Sequence, residues 1–150
     1  LDLVGRKLGL NGGKTLMSFF ETIKAFIKDN SGDDDLNRDF MEPLKAASKD
    51  MQAAAMYFMS EGMKNPNNAL SGSNDFMHLF GHVLLGWAWA RMAVAAKAGL
   101  ASDTTDPEFY ENKIRTGRYY MSRQLPETGM RLQRIKTGAA PVMDMPAEAF

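Results

Sequence analysis

Phe76-Met77-His78-Leu79-Phe80-Gly81-His82-Val83-Leu84-Leu85-Gly86-Trp87-Ala88-Trp89-Ala90-Arg91-Met92-Ala93-Val94 decides the fold. Phe76, Leu79, Phe80, Val83, Leu84, Trp87, Ala90 and Val94 recur at helical spacing, and Met77, Leu85, Trp89 and Met92 occupy other faces. A helix that is apolar almost all round belongs at the centre of its domain. The flanking residues predict a start capped by Ser73 or Asn74 and an end at Gly99. His78, His82 and Arg91 interrupt the stretch too closely for a hydrocarbon interior, so a membrane span is not expected. Gly81, Ala88 and Ala95 repeat every seven residues, which predicts close approach of a neighbouring backbone.

Three other helices surround this one in the sequence. Upstream, Leu16, Phe19, Phe20, Ile23, Phe26 and Ile27 form one apolar stripe, predicting a helix over 14–30 that stops at Ser31-Gly32. Asp33, Asp34 and Asp35 then supply acceptors for the next start. Leu36, Phe40, Leu44, Ala47, Met51, Ala54 and Phe58 step by three and four, giving a second helix to about Met63, with Pro43 kinking it or marking its first turn. The stretch 64–73, rich in Asn, Pro and Gly, reads as a long connection. Downstream, Asp106-Pro107-Glu108 starts a fourth helix. Its seam is Tyr110, Ile114, Gly117, Met121, Leu125, Thr128, Leu132 and Ile135, and Pro126 should bend it. Tyr119 and Tyr120 read as one core and one surface aromatic. Nothing reads as a strand.

The expected fold is all-α, an up-and-down four-helix bundle with an extended C-terminal tail. It is a single domain over 1–150. Residues 1–13 read as the end of an upstream helix plus a glycine hinge, 14–136 as the bundle, and 137–150 as a tail pinning Val142, Met143 and Phe150 onto it.

Composition narrows the function. The chain of 150 residues carries 18 basic and 18 acidic side chains, so no net field gathers nucleic acid or anionic lipid. Cysteine is absent, which removes thiolate catalysis, disulfides and cysteine-based metal sites. A cytoplasmic setting is the default. The 12 methionines read as adaptable core filler. The fourth helix holds Lys113, Arg115, Arg118, Arg123, Arg131, Arg134 and Lys136 against Glu111 and Glu127, either a solvated face or a surface for an acidic partner or a phosphate.

Chemistry-bearing patterns are sparse. Gly13-Lys14-Thr15 matches the end of a phosphate-binding loop, but Leu8 stands where that motif needs its first glycine and no strand precedes it. A hinge into the first helix is the better reading. His78 and His82 lie four apart, with Asp75 three residues before His78, so all three share one helical face. A metal site there would have to take its third ligand from a carboxylate, Asp75 or Glu61, and the stretch between the histidines lacks a protease glutamate. Two histidines hydrogen-bonded within a helical core are expected instead, with metal or haem binding by Asp75, His78 and His82 the alternative. No serine sits in a nucleophile elbow, and Glu61, Glu111 and Glu127 are scattered. No catalytic, cofactor-binding or metal residue is assigned.

Leu1-Asp2-Leu3-Val4-Gly5-Arg6-Lys7-Leu8, then Asp75 to His82, then Phe109-Tyr110-Glu111 through Leu125-Pro126-Glu127-Thr128 to Pro146-Ala147-Glu148-Ala149-Phe150 resemble, in that order, a known family. It is the extra C-terminal helical domain of bacterial acyl-CoA dehydrogenases, nearest the 3-methylmercaptopropionyl-CoA dehydrogenase type. The resemblance implies a parent oxidoreductase that binds FAD and uses a glutamate to take the α-proton of an acyl-CoA thioester. That glutamate lies in a Tyr-Glu-Gly-Thr-like stretch this sequence does not contain, so no catalytic residue is carried over. Also implied are a supporting role, no cofactor in this piece, packing against the dehydrogenase core or a subunit interface, and a homo-oligomeric parent. Competing readings are the His78/His82 metal- or haem-binding bundle and a self-association module.

Overall fold

The structure, a computed structural model, describes residues 1–149. Its long helices are α1 (Lys14–Asn30), α2 (Glu42–Lys64), α3 (Ser73–Leu100), α4 (Pro107–Tyr119) and α5 (Glu127–Lys136). Among the described residues there is no strand. The all-α expectation holds, and four long helical runs pack together as a bundle, the fourth being split into α4 and α5. α3 is the hub, packing on α2, α4 and α5, while α1 lies against α2. Phe19 of α1 reaches α3, stacking on Phe80 with centroids 5.4 Å apart and meeting Trp87 edge-on.

Local chemistry sets the helix ends. Asp33 accepts a hydrogen bond from the Leu36 amide at 3.0 Å, and its carboxylate also pairs with Lys97 across the bundle. Asp106 accepts from the Phe109 amide at 3.1 Å, with Pro107 in the first turn where its missing N–H costs nothing. The expected cap of α3 is different: the helix begins at Ser73 behind Gly72, and the Ser73 hydroxyl donates back to the Leu70 carbonyl. Breakers do not leave 64–73 unstructured either. Asn65 caps Pro66–Ser71, a short helix with proline at its start.

Both interior prolines are accommodated in the same way. A proline ring clashes with the carbonyl four residues earlier and offers that carbonyl no N–H. For Pro43 that residue is Asp39, inside the wide turn Asn37–Met41; for Pro126 it is Ser122, inside the wide turn Tyr120–Gln124. Each is a π-turn, in which N–H groups bond five residues back. Glu42 N–H reaches Asn37 O, and Leu125 N–H reaches Tyr120 O. Pro43 thus sits in the first turn of α2, whereas Pro126 separates α4 from α5.

The core follows the sequence periodicity along α2 and the fourth run. All seven seam residues from Leu36 to Phe58 are buried, as are Gly117, Met121, Leu125, Thr128 and Ile135. Burying each large side chain is worth roughly 1.5–3 kcal/mol. Phe58 and Phe76 meet edge-to-face at 5.2 Å. Close backbone approach occurs at glycines other than the predicted heptad. A Cβ on Gly86 would lie 3.0 Å from Leu125, and one on Gly117 would lie 2.7 Å from the Phe40 ring. Gly81 has open space around it, and Ala88 and Ala95 are exposed.

Two further expectations are corrected. α3 is not buried all round: Phe76, Leu79, Val83, Gly86, Ala90 and Ala93 face the core, but Met77, Leu84, Leu85 and Met92 face outward. The tail is not simply extended, because Ala140–Met143 coils into a short helix and Ala147–Ala149 into a 3-10 turn. Its anchor is buried Ala139, whose amide donates to the Asn68 side chain at 3.0 Å, while Val142 and Met143 are exposed. The proposed anchoring by Phe150 falls outside the described residues. Ahead of α1, Asn11, Gly12 and Gly13 all take positive φ, a left-handed run that two glycines allow at low cost.

Candidate functional site

The densest polar cluster joins the first half of α3 to the turn at Pro126. His82 lies with Nδ1 3.1 Å from the Tyr120 hydroxyl, and its Nε2 lies 3.3 Å from the Glu127 carboxylate. Glu127 also accepts from Arg131 at 3.3 Å. Arg131 donates to Asp75 at 2.9 Å, and Arg134 lies 3.5 Å from the same carboxylate. A continuous chain therefore runs from Tyr120 through His82, Glu127 and Arg131 to Asp75.

The local folding explains the placement. Asp75 and His82 are seven residues apart, two turns of α3, and so share a face. Glu127 and Arg131 are four apart on α5, the spacing at which helix side chains meet. The π-turn before Pro126 rotates Tyr120 toward α3, and its hydroxyl also donates to the His82 carbonyl at 3.3 Å. Burial, followed by the nearby Glu127 charge, pushes the Tyr120 phenol up to about 12. Arg131 and Asp75 are 15% and 13% exposed, so their pairing is far less screened than a surface bridge. The Arg131 Nε is buried without a partner among the described residues.

Of the three histidine-face residues, Asp75 and His82 join this chain and His78 is exposed. Both nitrogens of His82 already have partners. Among the described residues no cluster of three or more His, Cys, Asp or Glu stands close enough to hold a metal ion. Helical spacing does not identify Tyr120 and Glu127 as His82's neighbours, nor Arg131 as the partner of Glu127 and Asp75. The Glu127–Arg131 spacing was visible, but their reach to α3 depends on the break at Pro126. Chemically, the chain is a set of charge-assisted bonds tying two helices together: burial keeps the Tyr120 phenol in its neutral form, and the two carboxylates, Glu127 and Asp75, are both held by Arg131.

Two grooves open on the surface. One of about 270 Å³ lies beside Pro43, Asp50 and Leu125, and its Asp50 carboxylate is held by the Thr128 hydroxyl at 2.8 Å. The other, about 350 Å³, has Leu36, Phe40 and Ile114 at its floor and Lys97, Arg115 and Arg118 at its rim. Each rim cation has its own carboxylate: Lys97 with Asp33, Arg115 with Glu111 at 2.8 Å, and Arg118 with Asp39 at 2.6 Å. Arg38 first and Arg118 second hold the Asp39 carboxyl below its ordinary range. Pockets that enclose small ligands run from about 300 to 1,000 Å³. The two grooves stand at the bottom of that range, too small to enclose a flavin dinucleotide. Four of the seven basic side chains on the fourth run, Arg115, Arg118, Arg131 and Arg134, are paired with acids, so much of its charge is neutralised within the domain.

Comparison with known proteins supplies what this geometry alone does not. A family model described as acetyl-CoA dehydrogenase C-terminal like matches residues 19–146. The 3-methylmercaptopropionyl-CoA dehydrogenase of Ruegeria pomeroyi (strain ATCC 700808 / DSM 15171 / DSS-3) is 31% identical over 134 residues. That match covers 89% of this chain but 23% of the relative, so the chain spans less than a quarter of the relative's length. The match to the family model takes in all five long helices, apart from the first five residues of α1, and the polar chain between α3 and α5. This chain belongs to the acetyl-CoA dehydrogenase C-terminal-like family.

Proposed function

We propose that this chain is the accessory C-terminal domain of an FAD-dependent acyl-CoA dehydrogenase. In this reading the α,β-dehydrogenation of an acyl-CoA thioester belongs to the remainder of a longer cytoplasmic protein. Residues 1–150 act as a single brace, packed on the catalytic core or at a subunit interface, and bind no flavin themselves. Residues 1–13 continue an upstream helix into a hinge, an assignment supported by the left-handed run at Asn11, Gly12 and Gly13.

The observation that carries the proposal is the family match across 19–146. The interior is consistent with a bracing role: its charged groups pin α3 to α5 rather than converge on a cavity. The test is dye reduction by the purified 150-residue chain with FAD and acyl-CoA thioesters of several lengths. No turnover is expected. Acyl-CoA-dependent turnover would overturn the proposal.

A further inference from the structure

The outward face of α3 is the feature that the domain's own packing leaves unexplained. Met77, Gly81, Leu84, Leu85, Ala88, Met92 and Ala95 lie on the side of the helix opposite Leu79, Val83, Gly86 and Ala90. Met77 and Leu85 are 52% and 53% exposed, and Leu84 and Met92 are each 38% exposed. No charged side chain lies within this strip. Arg91 borders it and rests over the Trp87 ring at 5.2 Å, and His78 borders the other edge. Gly81, Ala88 and Ala95 leave shallow notches between the larger side chains, a relief into which another helix can settle.

The exposed face of α2 makes a useful contrast. It too carries apolar side chains, Met56, Met59 and Met63. They continue toward Lys45, Lys49 and Gln52, so that face ends in ordinary solvated charge. On α3 the apolar strip runs from Met77 to Ala95, about 27 Å along the axis.

We infer that this face of α3 is the surface on which the dehydrogenase part of a longer chain seats. The inference rests on the function proposed above and names the surface through which the brace acts. Size favours a tethered occupant. A strip about 27 Å long and about 10 Å wide covers on the order of 300 Å². A stable complex between free proteins uses ~800 Å² on each partner. A segment of the same polypeptide needs less, because tethering raises its effective concentration to about the millimolar range. The relative supplies such a segment, since more than three quarters of its length lies outside the match. The complementary surface would be apolar and free of acids, because nothing in the strip calls for a counter-charge.

The methionines are built-in probes. Peroxide converts an accessible methionine to its sulfoxide, and peptide mass spectrometry reads each position separately. In the longer protein carrying bound flavin, Met77 and Met92 should oxidise about tenfold or more slowly than free methionine in the same reaction. Met56 and Met59 should stay within a few-fold of it. If the flavin is present and Met77 and Met92 react as fast as Met56 and Met59, the inference fails while the proposed function stands. Protection that disappears on dilution would make the occupant a second copy. Protection that appears only with phosphatidylglycerol-containing vesicles would make it a bilayer, for which α3 is long and apolar enough; either result overturns the inference. A longer protein without flavin would defeat the proposed function, and this assignment with it.

Discussion

The packing account makes a paired prediction from one substitution at two helical glycines, Gly81→Ala and Gly117→Ala. Each exchanges the residue of highest backbone entropy for the best helix former, a gain of about 1 kcal/mol. Around Gly81 there is nothing within 4 Å of the added Cβ, so the gain should appear in full. At Gly117 the Cβ would lie 2.7 Å and 3.2 Å from two carbons of the Phe40 ring and 3.5 Å from Trp89. Phe40 is 1% exposed, leaving it no solvent to swing into. Overpacking of this kind costs about 1–3 kcal/mol, which exceeds the propensity gain. The expectation is about 1 kcal/mol stabilisation at Gly81 and about 1 kcal/mol destabilisation at Gly117. For a chain of this length that separates the two melting temperatures by roughly 4–8 °C. Urea unfolding followed by far-UV circular dichroism, with equal m-values, gives the same difference as free energies. If Gly117→Ala stabilised as much as Gly81→Ala, the close approach of α4 to Phe40 would be refuted.

Three other expectations concern paired and part-buried polar groups. Asp75→Asn leaves the Arg131 charge largely buried and under-compensated and should cost about 3 kcal/mol; Asp75→Asn with Arg131→Met should recover part of that loss, and full additivity in urea would contradict the pairing. Burial raises the Tyr120 phenol toward about 12, so the neutral form supports the fold below its ordinary value near 10 and that support fades as pH rises toward 12. Tyr120→Phe should accordingly flatten the alkaline fall in melting temperature between about pH 10 and 12, and an unchanged fall would count against it. Asp39 has the opposite sign, because Arg38 and Arg118 lower its pKa: its support is present above about pH 4 and lost on acidification, so Asp39→Asn should reduce the acid sensitivity of the melting temperature.

Where one physical pattern dominated, the sequence was readable. The α1 boundaries follow from a clean apolar stripe and a Ser-Gly stop, and the seam from Leu36 to Phe58 is buried in its entirety. The seam of the fourth run survives the break at Pro126, since the extra residue of the π-turn keeps Met121, Leu125 and Thr128 facing inward. Asp33 and Asp106 cap as their types and positions suggest.

The misreadings share a cause. Heptad spacing of Gly81, Ala88 and Ala95 marks a stripe but not its direction, and the neighbours that pack closely sit over Gly86 and Gly117 instead. An apolar circumference suggested that α3 is fully enclosed, whereas three neighbouring helices cover one side of it. In the tail, where an extended run is expected, Pro141 instead sits in the first turn of Ala140–Met143, a position in which proline is tolerated. As for the candidate site, helical spacing grouped Asp75, His78 and His82. Their actual partners on α5 and beside Pro126 arise from tertiary docking, which spacing within one helix does not encode.

The most direct test of the central claim is the visible absorption spectrum of the longer product of the same reading frame, purified and titrated with acyl-CoA. The account predicts bound flavin whose long-wavelength band bleaches as the thioester is oxidised. A colourless product, or a flavin band unchanged by any acyl-CoA, would contradict it.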